Sequence, residues 1–410
     1  MIERCHVCPT LALFAALLLI GLSGCTLPRV SAEERLFLDL SLDFLFGLRT
    51  AAHQMSRETA VRGLSGITYD RQRDRFYVVS DDRSDQAPAR FYTMKLNLDQ
   101  TASPQIASVE FEKVTTLQAA GEQFARGSID PEGIALSPRQ SVFISSEGVA
   151  RDGVAPFIDE FDLATGERRE QLRIGDRFLP KTVNDQPQGV QDNLGFEALT
   201  LNPGGYSTAW LEPFRLFAAT EDVLAQDVNL EEVDRELAER YRGDPEQYRP
   251  RYSRFLHYLI GDPQTTLISE HLYPIDPPPV GAATNGLTEM LVLDQAGHFL
   301  TLERSYGLTG AGAKIYQIAT GGATDTSGIV RLPSDLTGIN PIRKQLLLDL
   351  GTLGIELDNL EGMAIGPQLS DRSASSGRTM SLILVSDDNF NDEQVTQVLL
   401  FRLGGVESEG

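Results

Sequence analysis

Acidic side chains recur at two positions of a strand pair that repeats along the sequence. The clearest copy runs from Asp130 to Gly148, where Glu132 opens one apolar run and Glu147 closes the next, either side of a Ser-Pro-Arg-Gln turn. This pattern predicts a β-hairpin that sets the two carboxylates opposite each other. Like charges that face each other across a strand pair are destabilising, so we expect these carboxylates to need a counter-charge.

Aligning the repeats gives two columns of residues. The strand-opening position holds Ser65, Glu132, Glu197, Thr288 and Glu361. The strand-closing position is acidic in every copy and holds Asp81, Glu147, Glu221, Glu303 and Asp387. Three repeats therefore contribute two carboxylates each, and the other two pair a carboxylate with a hydroxyl group.

So many carboxylates can converge in three ways. A hard cation with oxygen ligands is the first, and calcium suits a large, irregular site of this kind better than magnesium or manganese, which keep more water. In the second, each carboxylate accepts backbone N–H groups of a neighbouring repeat. In the third, arginine side chains reach the carboxylates, for which the sequence places Arg62, Arg83, Arg126 and Arg304 near the two columns.

Other common catalytic motifs do not occur in the sequence. It contains no Gly-x-Ser-x-Gly nucleophile elbow, no His-Glu-x-x-His pair and no phosphate-binding glycine loop that ends in Lys-Ser or Lys-Thr. Four histidines follow His6, and their scattered spacing does not predict a zinc site: His53, His257, His271 and His298. The acidic columns are therefore the candidate site.

The elements that carry these columns predict an all-β fold. Apolar strand pairs, each followed by further strand-like runs, recur at intervals longer than about 40 residues, which is typical of a β-propeller with four antiparallel strands per blade. The sequence predicts five blades within 36–404, with six as the alternative if another blade lies among the irregular connectors. The start of the innermost strand and the end of the second strand lie at one face of a propeller, so both columns should ring one end of the channel.

Two segments fall outside the repeats. The apolar run Leu36–Phe46 precedes the first blade and should complete the last one, which would close the ring and leave no bare sheet edge. One strongly helical segment, Leu230–Arg242, lies inside the third blade, and we interpret 223–254 as a helical insertion on a surface loop.

Composition narrows the functional class. The chain has 410 residues, of which 41% are hydrophobic, and its formal net charge is −22. A protein this acidic is an unfavourable partner for nucleic acid and a favourable one for cations. We expect a packed, monomeric propeller without a nucleic-acid partner.

The N-terminus predicts export. The apolar run Leu11–Ile20 is too short to span a bilayer and is followed by Leu22–Cys25, which resembles a bacterial lipobox. We predict a signal peptide at 1–24, lipidation of Cys25 and a tether at 25–35, with a conventional secretory signal as the alternative. Thr26 after the cysteine favours the periplasmic side of the outer membrane. Cys5 and Cys8 would be removed with the signal, so the mature chain should hold no disulfide.

Four of the repeats resemble the phytase-like domain family, whose members are also described as having esterase-like activity of phytase and are exported bacterial proteins. The segments that carry this resemblance are Gly63–Asp70, Asp130–Pro138, Gly195–Pro203 and Asn359–Pro367. The resemblance spans about 61–403. It implies a propeller related to calcium-dependent β-propeller phytases, in which an acidic channel mouth holds calcium that binds substrate phosphate and activates water.

Two functions follow from this interpretation. The first is a calcium-dependent hydrolase of phosphoesters or other esters, in which Glu132, Glu197 and Glu361 bind the metal. The residues beside them would complete the site: Asp81, Glu147, Glu221, Glu303 and Asp387. Because the sequence does not place beside the columns a cluster of Lys and Arg that could bind several phosphates, a simpler ester is favoured over phytate. The alternative is a non-catalytic, lipid-anchored propeller that binds a ligand or a protein partner at its channel mouth.

Overall fold

A computed structural model describes most of the chain. The described residues are 36–50, 55–56, 59–99, 101, 103–202, 212–228, 250–262, 264–308, 310–369 and 379–405. The predicted signal peptide, the lipidation site Cys25, the tether and the helical segment Leu230–Arg242 lie outside these residues.

The described residues form β-strands with a few short 3-10 helices. In chain order, the chain begins with β1 (Ser41–Thr50), β2 (Met55–Ser56) and β3 (Thr59–Ala60). Blade 1 contains β4 (Leu64–Asp70), β5 (Arg75–Ser80), β6 (Arg90–Leu98) and β7 (Ile106–Thr116), and is followed by β8 (Gln118–Ala119) and β9 (Glu122–Gln123). Blade 2 contains β10 (Pro131–Ser137), β11 (Ser141–Ser146), β12 (Phe157–Asp162) and β13 (Arg168–Gln171), and is followed by β14 (Lys181–Val183) and β15 (Gln186–Gln188).

The remaining strands build three further blades. Blade 3 contains β16 (Phe196–Leu201), β17 (Phe214–Thr220), β18 (Arg251–Ile260) and β19 (Thr265–Ile275). Blade 4 contains β20 (Ala282–Val292), β21 (His298–Gly307), β22 (Gly310–Ala319) and β23 (Arg343–Asp349). Blade 5 contains β24 (Asn359–Leu369), β25 (Thr379–Asp387) and β26 (Thr396–Gly404), joined by β1. The 3-10 helices span Ala150–Asp152, Asp176–Phe178, Ala225–Asp227 and Leu350–Leu353.

The five blades close into a ring around the first strand of each blade. Each blade is an antiparallel meander, and the strands β4, β10, β16, β20 and β24 contact one another in that order, with β24 returning to β4. The prediction of a β-propeller is confirmed, and the number of blades is five rather than six.

The N-terminal strand completes the last blade, as predicted. Strand β1 pairs antiparallel with β26 from Ser41 opposite Gly404 to Thr50 opposite Thr396. The strand starts at Ser41, later than the apolar run. A β-bulge after Phe44 shifts the register, so Leu42 and Phe44 pack between blades 4 and 5 whereas Phe46 and Leu48 pack between blades 5 and 1.

The core lies between the blades, because the faces of each sheet pack against its two neighbours. Separate apolar clusters fill the interfaces between consecutive blades, and Phe143 of blade 2 meets Phe214 of blade 3 with ring centroids 6.1 Å apart. Strands buried on both faces read as nearly continuous apolar runs. The rigid stack of sheets therefore holds the ends of the inner strands in fixed positions around the axis.

The predicted insertion in blade 3 falls between β17 and β18. Its described ends are the 3-10 helix Ala225–Asp227 and the start of β18 at Arg251, so the final residues of the predicted range 223–254 belong to the strand. Within the described part of the chain, no helix has the length and apolar character needed to cross a membrane.

Candidate metal centre

A register shift positions the strand-opening residue in every blade. The inner two strands pair normally at one residue and then shift, and the pairs just before the shift are Leu64–Ser80, Pro131–Ser146, Phe196–Thr220, Leu287–Glu303 and Leu360–Ser386. The strand-opening residue is the next one and lies in the irregularity. The predicted direct opposition of Glu132 and Glu147 across the strand pair is therefore wrong, because a bulge removes the opening residue from the ladder.

The register also corrects the strand-closing position of blade 4. In blades 1, 2 and 3, the closing residue donates its backbone N–H to a carbonyl on the first strand. The acceptor is the residue just before the strand-pair residue named above, so Asp81 donates to the carbonyl of Gly63 at 2.9 Å. The residue before Leu287 is Gly286, and its partner in the ladder is Arg304. Arg304, not Glu303, therefore holds the strand-closing position of blade 4.

Glu303 binds a different set of side chains. Its carboxylate accepts hydrogen bonds from the Tyr273 hydroxyl at 2.8 Å and from Asn285 Nδ2 at 2.8 Å, and forms an ion pair with Lys344. The structure therefore does not bring Glu303 together with the other predicted ligands. A shift of one residue turns a side chain to the opposite face of a strand, which explains the difference.

Eight carboxylates converge at the end of the axis that carries the two columns. We call this set the acidic ring, and its members are Asp81, Asp130, Glu132, Glu147, Glu197, Glu221, Glu361 and Asp387. Seven of them were predicted. The eighth, Asp130, directly precedes Pro131 and was missed because it lies one residue outside the aligned column.

Two groups of three carboxylates in the ring have the spacing of metal ligands. One oxygen each of Asp130, Glu132 and Glu147 lies within 4.8 Å of the others, and the same holds for Glu147, Glu197 and Glu221. Glu147 belongs to both groups and is only 2% exposed. The two groups are therefore adjacent and enclosed.

Some ring carboxylates have hydrogen-bond donors and others do not. Ser65 donates to Glu132 Oε2 at 2.9 Å, the backbone N–H of Gly195 donates to Glu147 Oε1 at 2.6 Å, and Asn359 Nδ2 donates to Glu361 Oε1 at 2.8 Å. Glu197 Oε2 and Asp81 Oδ1 are enclosed and have no donor among the described residues. A buried carboxylate oxygen without a donor destabilises the fold, so these two oxygen atoms lack a partner that a proton or a cation could supply.

Two of the four arginines expected near the columns reach the ring. Arg304 places Nη2 3.2 Å from Glu221 Oε1 and 3.4 Å from Glu361 Oε1, and Arg83 pairs with Asp130. Arg62 pairs instead with Asp388 at 3.0 Å, and Arg126 lies on the surface. Within the described part of the chain, the eight ring carboxylates thus share two ion-paired guanidinium groups.

This shortage of positive charge appears in the pKa values. Burial, followed by repulsion among the carboxylates, raises the pKa of Glu132, Glu147 and Glu197 well above its usual range. Burial raises the pKa of Asp130 to about 6 and that of Glu221 to about 7, where nearby arginines oppose the shift. The acidic ring can therefore ionise fully only if it gains cations.

Glu289 fills the axis beside the ring and was not predicted. The position after the strand-opening residue is occupied by Gly66, Gly133, Ala198 and Gly362 in four blades and by Glu289 in blade 4. A Cβ on Gly133 would lie 2.4 Å from the carbonyl oxygen of Glu197, so small residues let the inner strands approach each other. The aligned repeats could have revealed Glu289, because it is the one large acidic residue at a position where the other four blades have Gly or Ala.

The Glu289 carboxylate acts as an acceptor for several inner strands. Its Oε1 accepts the backbone N–H of Met290 at 2.9 Å and that of Leu199 at 3.4 Å. It also interacts with the backbone N–H groups of Ile67 and Met363, so the strands β4, β16, β20 and β24 all converge on it. Burial raises the pKa of Glu289 well above its usual range, against the effect of these N–H groups.

Comparison with solved structures returns proteins of low similarity. The endo-arabinase of Bacteroides thetaiotaomicron is 10% identical over 85% of this chain and 96% of its own, with a TM-score of 0.39. The hydrazine synthase of Kuenenia stuttgartiensis is 9% identical over 82% and 81%, with a TM-score of 0.31. A structure described as the Dos1 propeller is 7% identical over 87% and 73%, with a TM-score of 0.33.

Sequence comparison identifies the family. No functionally curated protein matches the chain significantly. Residues 59–390, which include all the inner strands and the whole acidic ring, match the family described as "Phytase-like: Esterase-like activity of phytase". The chain belongs to this phytase-like family.

Proposed function

We propose that this protein is a calcium-dependent hydrolase of phosphoesters or other esters, with the acidic ring as its metal centre. The observation that carries the proposal is the pair of enclosed three-carboxylate groups that share Glu147. Their shortage of positive charge supports it. Removing several ionised carboxylates from water is expensive unless a cation or a proton compensates them.

The donor set fits a hard cation. Calcium takes about six to eight oxygen ligands at roughly 2.3–2.6 Å in irregular geometry, whereas magnesium requires a near-ideal octahedron. The residues that would hold it are Asp130, Glu132, Glu147, Glu197 and Glu221, which supply oxygens only. Glu197 Oε2 is enclosed, has no donor among the described residues and would coordinate the cation.

The chain's own residues would then divide the work. When bound, the cation would polarise the ester and lower the pKa of water at the site. Asp81 lies in the ring but outside both three-carboxylate groups, and its Oδ1 has no donor within the described part of the chain. We assign Asp81 the role of proton acceptor, because a nearby cation would lower the pKa that burial and Asp387 raise.

The cationic groups limit the substrate. Arg83 and Arg304 both form ion pairs with ring carboxylates, which reduces the positive charge that the site offers to a highly phosphorylated substrate. A substrate with one ester group and a small charge suits this site better than a highly phosphorylated one.

We further propose that the protein acts outside the cytoplasm, monomeric and lipid-anchored through Cys25 on the periplasmic side of the outer membrane.

Metal analysis of the purified protein tests the proposal. The protein is prepared without chelator, and bound calcium is measured in the wild type, in Glu147→Gln and in the surface control Glu122→Gln. We expect stoichiometric calcium in the wild type and the control, and a loss in Glu147→Gln. Hydrolysis of p-nitrophenyl phosphate and p-nitrophenyl acetate is then compared with calcium and with EGTA.

The outcome separates the two functions. Calcium-dependent turnover that Asp81→Asn abolishes, while calcium binding persists, would support the hydrolase. A wild type that binds no calcium and hydrolyses neither ester would refute it. In that case the carboxylates are structural, and the non-catalytic propeller with a ligand or protein partner becomes the better explanation.

A further inference from the structure

Arg304 interrupts the pattern of the strand-closing position. Blades 1, 2, 3 and 5 place Asp81, Glu147, Glu221 and Asp387 there, and blade 4 places Arg304 at the same point of the register. A positive charge therefore occupies one of five equivalent positions around the axis. This arginine does not lie on the open surface, because its side chain is only 15% exposed.

The guanidinium group bridges the two blades that flank its own. Its Nη2 lies 3.2 Å from Glu221 of blade 3 and 3.4 Å from Glu361 of blade 5, whose side chains are 5% and 8% exposed. One nitrogen atom thus serves two carboxylates from different sheets, as a metal ion would. The pKa of Arg304 is raised further because Glu221 and Glu361 outweigh the effect of burial, so the group stays charged.

The acidic ring is thereby divided in two. On one side, Glu147, Glu197 and Glu221 converge within 4.8 Å of one another, and Glu197 Oε2, on a side chain 4% exposed, has no donor among the residues described. On the other side, Arg304 lies between Glu221 and Glu361. Glu221 belongs to both sides.

We propose that Arg304 is a built-in cation that occupies a position where a further calcium ion would otherwise bind. The proposal rests on the proposed function for the metal on the other side of Glu221, and adds that the ring binds one ion fewer than its carboxylates allow. A guanidinium group cannot dissociate or be chelated, and it stays charged at any working pH. It keeps Glu221 and Glu361 paired whether or not metal is present.

Counting calcium ions tests this proposal. Calcium bound per chain is measured by equilibrium dialysis for the wild type, Arg304→Ala, Arg304→Lys and the double variant R304A/E361Q. We expect Arg304→Ala to bind one ion more than the wild type, with a dissociation constant of roughly 0.1–1 mM, the range of calcium sites in extracellular modules. Arg304→Lys keeps the charge and should bind the wild-type number. The double variant should lose the extra ion.

The results distinguish this proposal from the proposed function. A wild type without calcium and an Arg304→Ala variant with one ion would support the role of Arg304 and remove the metal centre. Bound calcium in the wild type with no gain in Arg304→Ala would overturn the role of Arg304 alone. An extra ion that persists in R304A/E361Q would also overturn it, because that ion would lie elsewhere.

Folding of the variant gives a second measurement. Removing Arg304 leaves Glu221 and Glu361 without their shared partner, so Arg304→Ala should melt well below the wild type in EGTA. Calcium should raise its melting temperature by several degrees more than it raises that of Arg304→Lys. An Arg304→Ala variant that calcium does not rescue, while Arg304→Lys folds normally, would contradict the proposal.

Discussion

Gly286 of blade 4 lies against the carboxylate of Glu221 in blade 3. A Cβ built on Gly286 would come within 2.3 Å of Glu221 Oε1, far closer than two such atoms can approach. Gly286 also pairs with Arg304 in the inner ladder. The absence of a side chain at this position therefore leaves the space in which Glu221 reaches both Arg304 and its neighbouring carboxylates.

The first prediction uses this contact to disturb the site without changing its charge. In Gly286→Ala, the new methyl group should displace the Glu221 carboxylate and weaken calcium binding at least tenfold. Isothermal titration with calcium measures the effect. Gly321→Ala is the matched control, because a Cβ there meets no atom within 4 Å. Equal calcium affinity in both variants would argue against Glu221 as a ligand.

The second prediction concerns Glu289. Glu289→Ala removes the acceptor shared by inner strands of several blades and leaves buried N–H groups unpaired, each at a cost of about 1–3 kcal/mol. Glu289→Gln keeps one acceptor oxygen of the same shape and should be much less destabilised. Urea unfolding of the two variants gives the free energies. Similar values for both would contradict the prediction, because the acceptor oxygen and the shape that Gln preserves would then contribute nothing at the axis.

The third prediction is a pH dependence in blade 3. His257 stacks on Phe217 with ring centroids 4.6 Å apart, and burial, with Arg215 and His271 nearby, lowers its pKa to about 4. In the unfolded chain, His257 binds a proton near pH 6.5, whereas in the folded chain it stays neutral until about pH 4. The stability of the folded state is therefore greatest above pH 6.5 and falls as the pH drops from 6.5 toward 4.

His257→Phe preserves the stack and removes the titrating group. We expect the wild type to lose stability relative to this variant between pH 6.5 and 4, on the order of 2 kcal/mol after allowance for partial exposure. Thermal melting across this range measures the difference. Parallel curves for the two proteins would contradict the lowered pKa.

The fourth prediction is the effect of removing calcium. A ligand that binds only the native state at about a thousand times its dissociation constant adds about 4 kcal/mol of stability. The wild type should therefore melt at a markedly lower temperature in EGTA than in calcium, whereas Glu147→Gln should show little difference. If the melting temperature of the wild type were the same in calcium and in EGTA, the acidic ring would not bind calcium.

The fold was predictable because its signals are local and repeated. Each inner strand pair carries an apolar run either side of a turn, and the apolar run Leu36–Phe46 before the first blade had no partner except the last blade. The ring residues Glu132, Glu197 and Glu361 were predictable for the same reason, since each follows the same apolar position of its strand.

The misassigned residues depend on register, which the sequence does not encode locally. Glu303 and Arg304 are adjacent, and either could close the strand of blade 4. Only the pairing of Leu287 with Glu303 shows that Arg304 faces the ring. Glu289 was missed for a related reason. Its importance comes from four strands that meet at the axis, and no single strand reveals that meeting.

The pairing of β1 with β26 has a consequence for the time course of folding. Ser41 and Gly404 are among the most distant residues of the described chain, yet they are partners in one sheet. Contacts between segments so distant in sequence form slowly, because the entropy of closing a long loop is lost before the contacts stabilise the chain. A newly made chain can assemble blades 1 to 4 from local hairpins while β1 waits for its partner. The pairing of β1 with β26 should therefore be the last and slowest step.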